Sequence, residues 1–118
     1  MQLLNALRDR IDPQSGRSGS ATIPPSDCYS LLSNERRRLI IEFLATMDGS
    51  STDAAAVADH LSELGDDRNS AYISCIQQHL PRMAKSGVVE FNEAKDVTVL
   101  PELQAVWEAH QAVENALE

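Results

Sequence analysis

From Arg68 to Val89 the chain reads RNSAYISCIQQHLPRMAKSGVV, without a single aspartate or glutamate. Elsewhere acids dominate: 18 Asp and Glu stand against 10 Lys and Arg, for a formal net charge of −8. The side chains of this acid-free segment suit hydrogen bonding to phosphates and base edges. Gln77 and Gln78 carry amides that pair bidentately with adenine, and Arg82 carries a fork that matches guanine. Asn69, Ser70 and Ser74 can donate to phosphate oxygens near a helix start, where the dipole attracts anions, and Arg68, Arg82 and Lys85 make the segment locally positive. Arg36 and Arg37, in the run Arg36-Arg37-Arg38, are a second candidate group; pairing with Glu35 and Glu42 is the alternative. Lys95, flanked by Glu93 and Asp96, is a weaker candidate.

Other chemistries find no apparatus. Cys28 and Cys75 stand far apart with no CxxC, and His60, His79 and His110 lack the spacing of a helix-borne zinc site. The glycines are isolated turn residues that build no phosphate-cradling loop. No nucleophile and base, and no carboxylate pair, can be assembled from these spacings. The expectation is a protein without catalytic residues, metal or cofactor.

The elements that must position the acid-free segment follow from periodicity. Residues 2–11, QLLNALRDRI, place Leu3, Leu4, Leu7 and Ile11 on one helical stripe. Residues 12–27, rich in Pro, Gly and Ser, read as a linker. A helix then opens with Ser33 as N-cap and Glu35 in its first turn. Its face is Leu39, Ile40, Phe43, Leu44 and Met47, and Gly49 supplies the left-handed stop. Thr52 caps a second helix whose stripe of small residues (Ala54, Val57, Ala58, Leu61, Leu64) predicts close packing up to Gly65.

The third helix runs over about 70–86, with Ile73, Ile76, Leu80 and Met83 inward and Tyr72 and His79 on the flank. Ser74, Gln77, Gln78, Arg82 and Lys85 face outward. Pro81, which should kink it, falls on the outward side and leaves the core undisturbed; it either re-aims the first half of the helix or marks a tolerated surface kink or the meeting of two short helices. Beyond Gly87, VVEF and VTVL around a short polar connection predict a β-hairpin. The final stretch spaces Leu103, Val106, His110, Val113 and Leu117 as a heptad, with Trp107 beside them.

The order predicts a mainly α fold with a small β-hairpin: a winged helix-turn-helix with extra N- and C-terminal helices. Its parts are an amphipathic helix at 1–11, a linker at 12–27, the winged domain at 28–100 and a C-terminal dimerisation helix at 101–118. Within it, LSNERRRLIIEFL followed by HLPRMAKSGVVEF resembles the winged-helix domain of a large haloarchaeal family of uncharacterised proteins. That family is similar to the arsenic-repressor-like and multiple-antibiotic-resistance-regulator-like transcription factors. The resemblance spans roughly residues 31–100 and implies a regulator of unknown ligand and operator. Metal-sensing relatives carry paired cysteines or histidines, and the single Cys75 does not inherit that role.

With 118 residues there is room for one domain, and with aromatics at 4% its core must be aliphatic. Acids with little lysine (only Lys85 and Lys95) suit a chain adapted to strong salt, in keeping with an archaeal, halophilic source; an acidic mesophilic protein is the alternative. No apolar run approaches the ~20 residues that cross a bilayer, and the start does not resemble a secretory signal, so a cytoplasmic protein is expected. The expected function is a DNA-binding transcription regulator, most simply a repressor, reading the major groove of double-stranded DNA with helix 70–86. Leu3, Leu7, Leu103, Val106, Trp107, His110, Val113 and Leu117 are the expected homodimer contacts; the alternative is that both terminal arms fold back on their own domain. The alternative is a winged-helix adaptor that binds a protein partner and no DNA.

Overall fold

The computed structural model describes residues 23–117. The expected helix at 1–11, with Leu3 and Leu7, lies outside the described residues. The elements in order are α1 (Pro25–Leu32), α2 (Glu35–Thr46), β1 (Ser51–Asp53), α3 (Ala54–Glu63), α4 (Arg68–Ser74), a π turn (Cys75–His79), α5 (Leu80–Lys85), β2 (Val89–Phe91), β3 (Asp96–Val99) and α6 (Pro101–Leu117). The described chain is mainly helical, with one antiparallel sheet of three strands ordered β1-β3-β2.

Three helix starts differ from expectation, each for a local reason. The linker ends earlier than residue 27, because Pro25 occupies the first turn of α1, where the missing N–H costs nothing and the fixed φ suits a helix. Ile23, just before it, is buried. Ser33 closes α1 instead of opening α2, its Oγ and its N–H both donating to the Ser30 carbonyl. Asn34 is the cap of α2, its side chain accepting from the Arg37 N–H at 3.0 Å. At α3 Asp53, not Thr52, makes the cap, accepting from the Ala56 N–H at 2.8 Å.

The hairpin joins β2 to β3 with Glu90 opposite Thr98, and β1 adds Thr52 opposite Val97 on the other edge of β3. At the hairpin turn Lys95 takes a left-handed backbone (φ 71°), and its carbonyl accepts from the Ala54 N–H at the foot of α3. The sheet is thereby tied to a helix as well as to itself.

The core is aliphatic, as the scarcity of aromatics requires. Leu31, Ile40, Ile41, Leu44, Leu61, Leu80, Met83, Val97 and Leu103 are among its large fully buried side chains, drawn from five helices and the sheet. Ala54, Val57, Ala58 and Leu61 of α3 are all buried, while Leu64 is exposed. The first half of α6 lies on its own domain, chiefly against α2, with Leu103, Val106 and Ala109 buried. Leu103 and Val106 are therefore not free for a partner, because the heptad seam is already covered there by the chain's own core.

Helix α5 stops through a Schellman arrangement. The Val88 N–H reaches back to the Met83 carbonyl, the Gly87 N–H to that of Ala84, and Gly87 adopts φ 81°. Val88 and Met83, which this closure juxtaposes, are both buried. A Cβ at position 87 would meet nothing within 4 Å, so the constraint is backbone conformation alone. Gly87→Ala is expected to lower unfolding stability by about 1–2 kcal/mol, the usual left-handed penalty for an L residue. Urea titration checks this, and an unchanged midpoint would contradict it.

Candidate nucleic-acid interface

Helix α4, the π turn and α5 form one continuous rod from Arg68 to Lys85. A π turn bonds each N–H to the carbonyl five residues back, here Leu80 N–H to Cys75. The extra residue advances the phase of the rod between its two halves. Ile73, expected inward, is therefore 50% exposed, whereas Cys75 and His79 join Ala71, Leu80 and Met83 in the interior. The turn also widens the ladder just before Pro81, whose ring would otherwise press on the carbonyl four residues back. Pro81 then sits in the first turn of α5, where no N–H is needed.

The start of the rod is closed by carboxylates. Asp67 caps it, accepting from the Ser70 N–H at 2.9 Å. Arg68 Nε meets Asp59 Oδ1 at 2.6 Å, and its guanidinium lies 5.9 Å from the centre of the Tyr72 ring. Arg36 forks onto both oxygens of Asp66 at 2.7 and 2.6 Å and donates to Ser74 Oγ at 2.7 Å. This pairing holds the Asp66 carboxyl below its usual range. Arg36 and Ser74 thus bind each other and Asp66, and the anion-attracting end of the rod is occupied from within. Asn69 and Ser70 are exposed beside it.

Arg37 lies inside the protein, 4% exposed. Its guanidinium donates to the carbonyls of Leu31 (3.0 Å) and Ser30 (2.7 Å), which end α1, and faces His79 Nδ1 at 3.4 Å. A guanidinium only donates, so Nδ1 accepts and the imidazole proton sits on Nε2. Arg37 is accordingly a structural cation withdrawn from any phosphate. Arg38 donates to the Leu32 carbonyl at 2.8 Å. The alternative pairing of this arginine run with Glu35 and Glu42 also gives way, in the described bonds, to Asp66 and the end of α1. The signal was present in the spacing: Arg37 stands four and seven residues before Ile41 and Leu44, on the apolar stripe of α2.

The remaining candidates gather on the second half of the rod. Gln77, Gln78, Arg82 and Lys85 are all exposed. Arg82 hydrogen-bonds Ser30 of α1, and with Lys85, Ser30, Ser86 and Asp27 it lines a polar groove of about 270 Å³. Ser30 carries no sequence signal of a site residue, because it stands between the expected linker at 12–27 and the expected helix start at Ser33, and only packing brings it to Arg82. Lys95 is half-buried at the hairpin turn, its Nζ 3.4 Å from the Glu93 carbonyl.

Of the expected dimer contacts, Trp107, His110 and Val113 are half-buried and Leu117 is 73% exposed. His110 lies 3.4 Å from Glu114. Among the described residues no cluster of His, Cys, Asp and Glu is placed to hold a metal, and no helix is long and apolar enough to cross a membrane. Cys28 and Cys75 are both free and buried, and burial pushes their thiols up to about 11.

Burial, reinforced by the charges of Arg37, Arg36 and Arg82, pushes His79 down from 6.5 to about 4. The folded ring resists protonation that the unfolded chain accepts. Stability from this site is full above about 6.5 and is lost as pH falls towards about 4, a loss on the order of 3 kcal/mol. Urea titrations across that range should show the slope, and His79→Gln should flatten it; a variant with the parent slope would contradict the assignment. Arg37→Met should cost about 2–3 kcal/mol through the carbonyls it leaves unbonded.

Comparison with curated proteins gives no match, and neither does comparison with solved structures. A family model described as a domain of unknown function, DUF7344, matches residues 29–99, from within α1 to the end of β3. With more than half its length matched, the chain belongs to the DUF7344 family.

Proposed function

We propose that this chain is a transcription regulator, most simply a repressor, that binds double-stranded DNA through a winged helix-turn-helix. In this reading α2, α3 and the rod α4–α5 are the three helices, and the β2–β3 hairpin is the wing. One observation carries it: Gln77, Gln78, Arg82 and Lys85 are exposed together on a rod whose other side is core, in a segment free of acids. A side of this kind offers bidentate partners to adenine and guanine, and exposed Ile73 offers an apolar contact to a thymine methyl. The closed start of the rod shifts phosphate contact to its second half, where Arg82, Lys85 and Ser30 line the polar groove.

A net charge of −8 opposes long-range attraction to a polyanion. At about 1 M salt the screening length is only ~3 Å, so distant acids are scarcely felt and close hydrogen bonds decide. Such conditions fit the proposed setting, the cytoplasm of a salt-adapted archaeal cell. Pairing of two chains on a two-fold site belongs to the same reading, with reading helices about 34 Å apart. A second reading, a winged-helix adaptor that binds protein, is favoured by exposed Leu64 and Ile73 and by the carboxylates around the start of the rod.

Fragments selected from genomic DNA in molar KCl provide the substrate for the test. Joint replacement of Gln77, Gln78 and Arg82 by alanine should weaken binding at least about tenfold, since each lost bidentate pair is worth about 1–3 kcal/mol. Undiminished binding by the folded variant would remove the reading role of this side, and failure of the parent to select any fragment would favour the adaptor. Mass measurement of the complex should give two chains per palindromic site; one chain would overturn pairing.

A further inference from the structure

Helix α6 outruns the domain that covers its first half. Beyond Ala109 its apolar side continues through Val113 to Leu117, and there it faces Tyr29 and Leu32 of α1 across an open apolar groove of about 390 Å³. Arg38 and Glu114 also line this groove, one charge of each sign. Tyr29 and Leu117 are among the exposed large apolar side chains.

We propose that the groove is the docking site of this chain's own residues 1–11, seated as an amphipathic helix with Leu3, Leu4, Leu7 and Ile11 inward. Four apolar side chains at helical spacing in that segment answer four apolar side chains in the groove. Reach supports the match. Ile23 is fixed in the core immediately before α1, the helix that carries Tyr29 and Leu32. At about 1.5 Å per residue Tyr29 stands only ~10 Å along from that anchor. Residues 12–22 number eleven, and eleven residues reach at most about 36–40 Å. The connection is therefore long enough, and an occupant on the same chain competes at an effective concentration in the millimolar range.

A second copy is the rival occupant. A stable dimer needs about 800 Å² per partner, and this groove presents few side chains beyond those named. Docking in this way covers the overhanging half of α6 without any partner.

The test uses the full chain with Asn5→Cys carrying a nitroxide. Asn5 lies opposite the Leu3/Leu7 stripe, and the native thiols, Cys28 and Cys75, are buried and stay unlabelled. In chains that carry both nitroxide and nitrogen-15, the amide signals of Val113 and Leu117 should lose most of their intensity. Adding Leu3→Asp and Leu7→Asp to the labelled chain should restore them. A mixture of nitroxide-only and nitrogen-15-only chains should show no such loss. Undiminished groove signals in the doubly labelled chain would overturn the proposal. Equal loss in the mixture would overturn it too, since the segment would then come from a second copy.

Discussion

The guanidinium of Arg37 holds three elements in one arrangement. It stands on α2, donates to the carbonyls that end α1, and faces the imidazole of His79 in the π turn. A buried cation is costly unless its donors are used, and here the free carbonyls of a helix end use them. The same contact demands a neutral histidine opposite, which burial and surrounding arginines enforce. Position of the rod relative to α1, and hence the groove between Arg82 and Ser30, depends on this junction.

Pro81 and the π turn belong to one solution. A proline within an α-helix strains the turn before it, and a turn one residue wider relieves that strain while keeping the rod continuous. The cost is a change of phase, which brings Cys75 and His79 inward and turns Ile73 out. The gain is that both halves of the rod keep a buried side despite the interruption. Gln77 and Gln78 lie within the turn itself, so the widening sets the direction in which their amides point.

Much of this was legible in the sequence because it repeats. The stripes of α2 and α3, the glycine stop at 87 and the hairpin follow from periodicity and turn residues, as does the exposure of Gln77, Gln78, Arg82 and Lys85. Single events were not legible. Strand β1 is three residues of Ser, Thr and Asp with no alternation to detect, and it forms only because β3 offers a free edge. A heptad reports an apolar seam without saying whose surface covers it, so Leu103 and Val106 read equally well as core or as interface. In the arginine run residue type is uninformative, since three adjacent basic residues look alike, and only the spacing of Arg37 to Ile41 and Leu44 tells which one the helix sends inward. The carboxylates that close the start of the rod include Asp59 and Asp66, whose approach to Arg68 and Arg36 is a product of tertiary packing.

The position of β3 between two short neighbours has a further consequence. Both outer strands of the sheet, β1 and β2, are only three residues long. An outer strand exposes unpaired backbone that can recruit another chain, and brevity is one of the ways proteins blunt that hazard. A sheet with edges this short gives little template for runaway fibre growth.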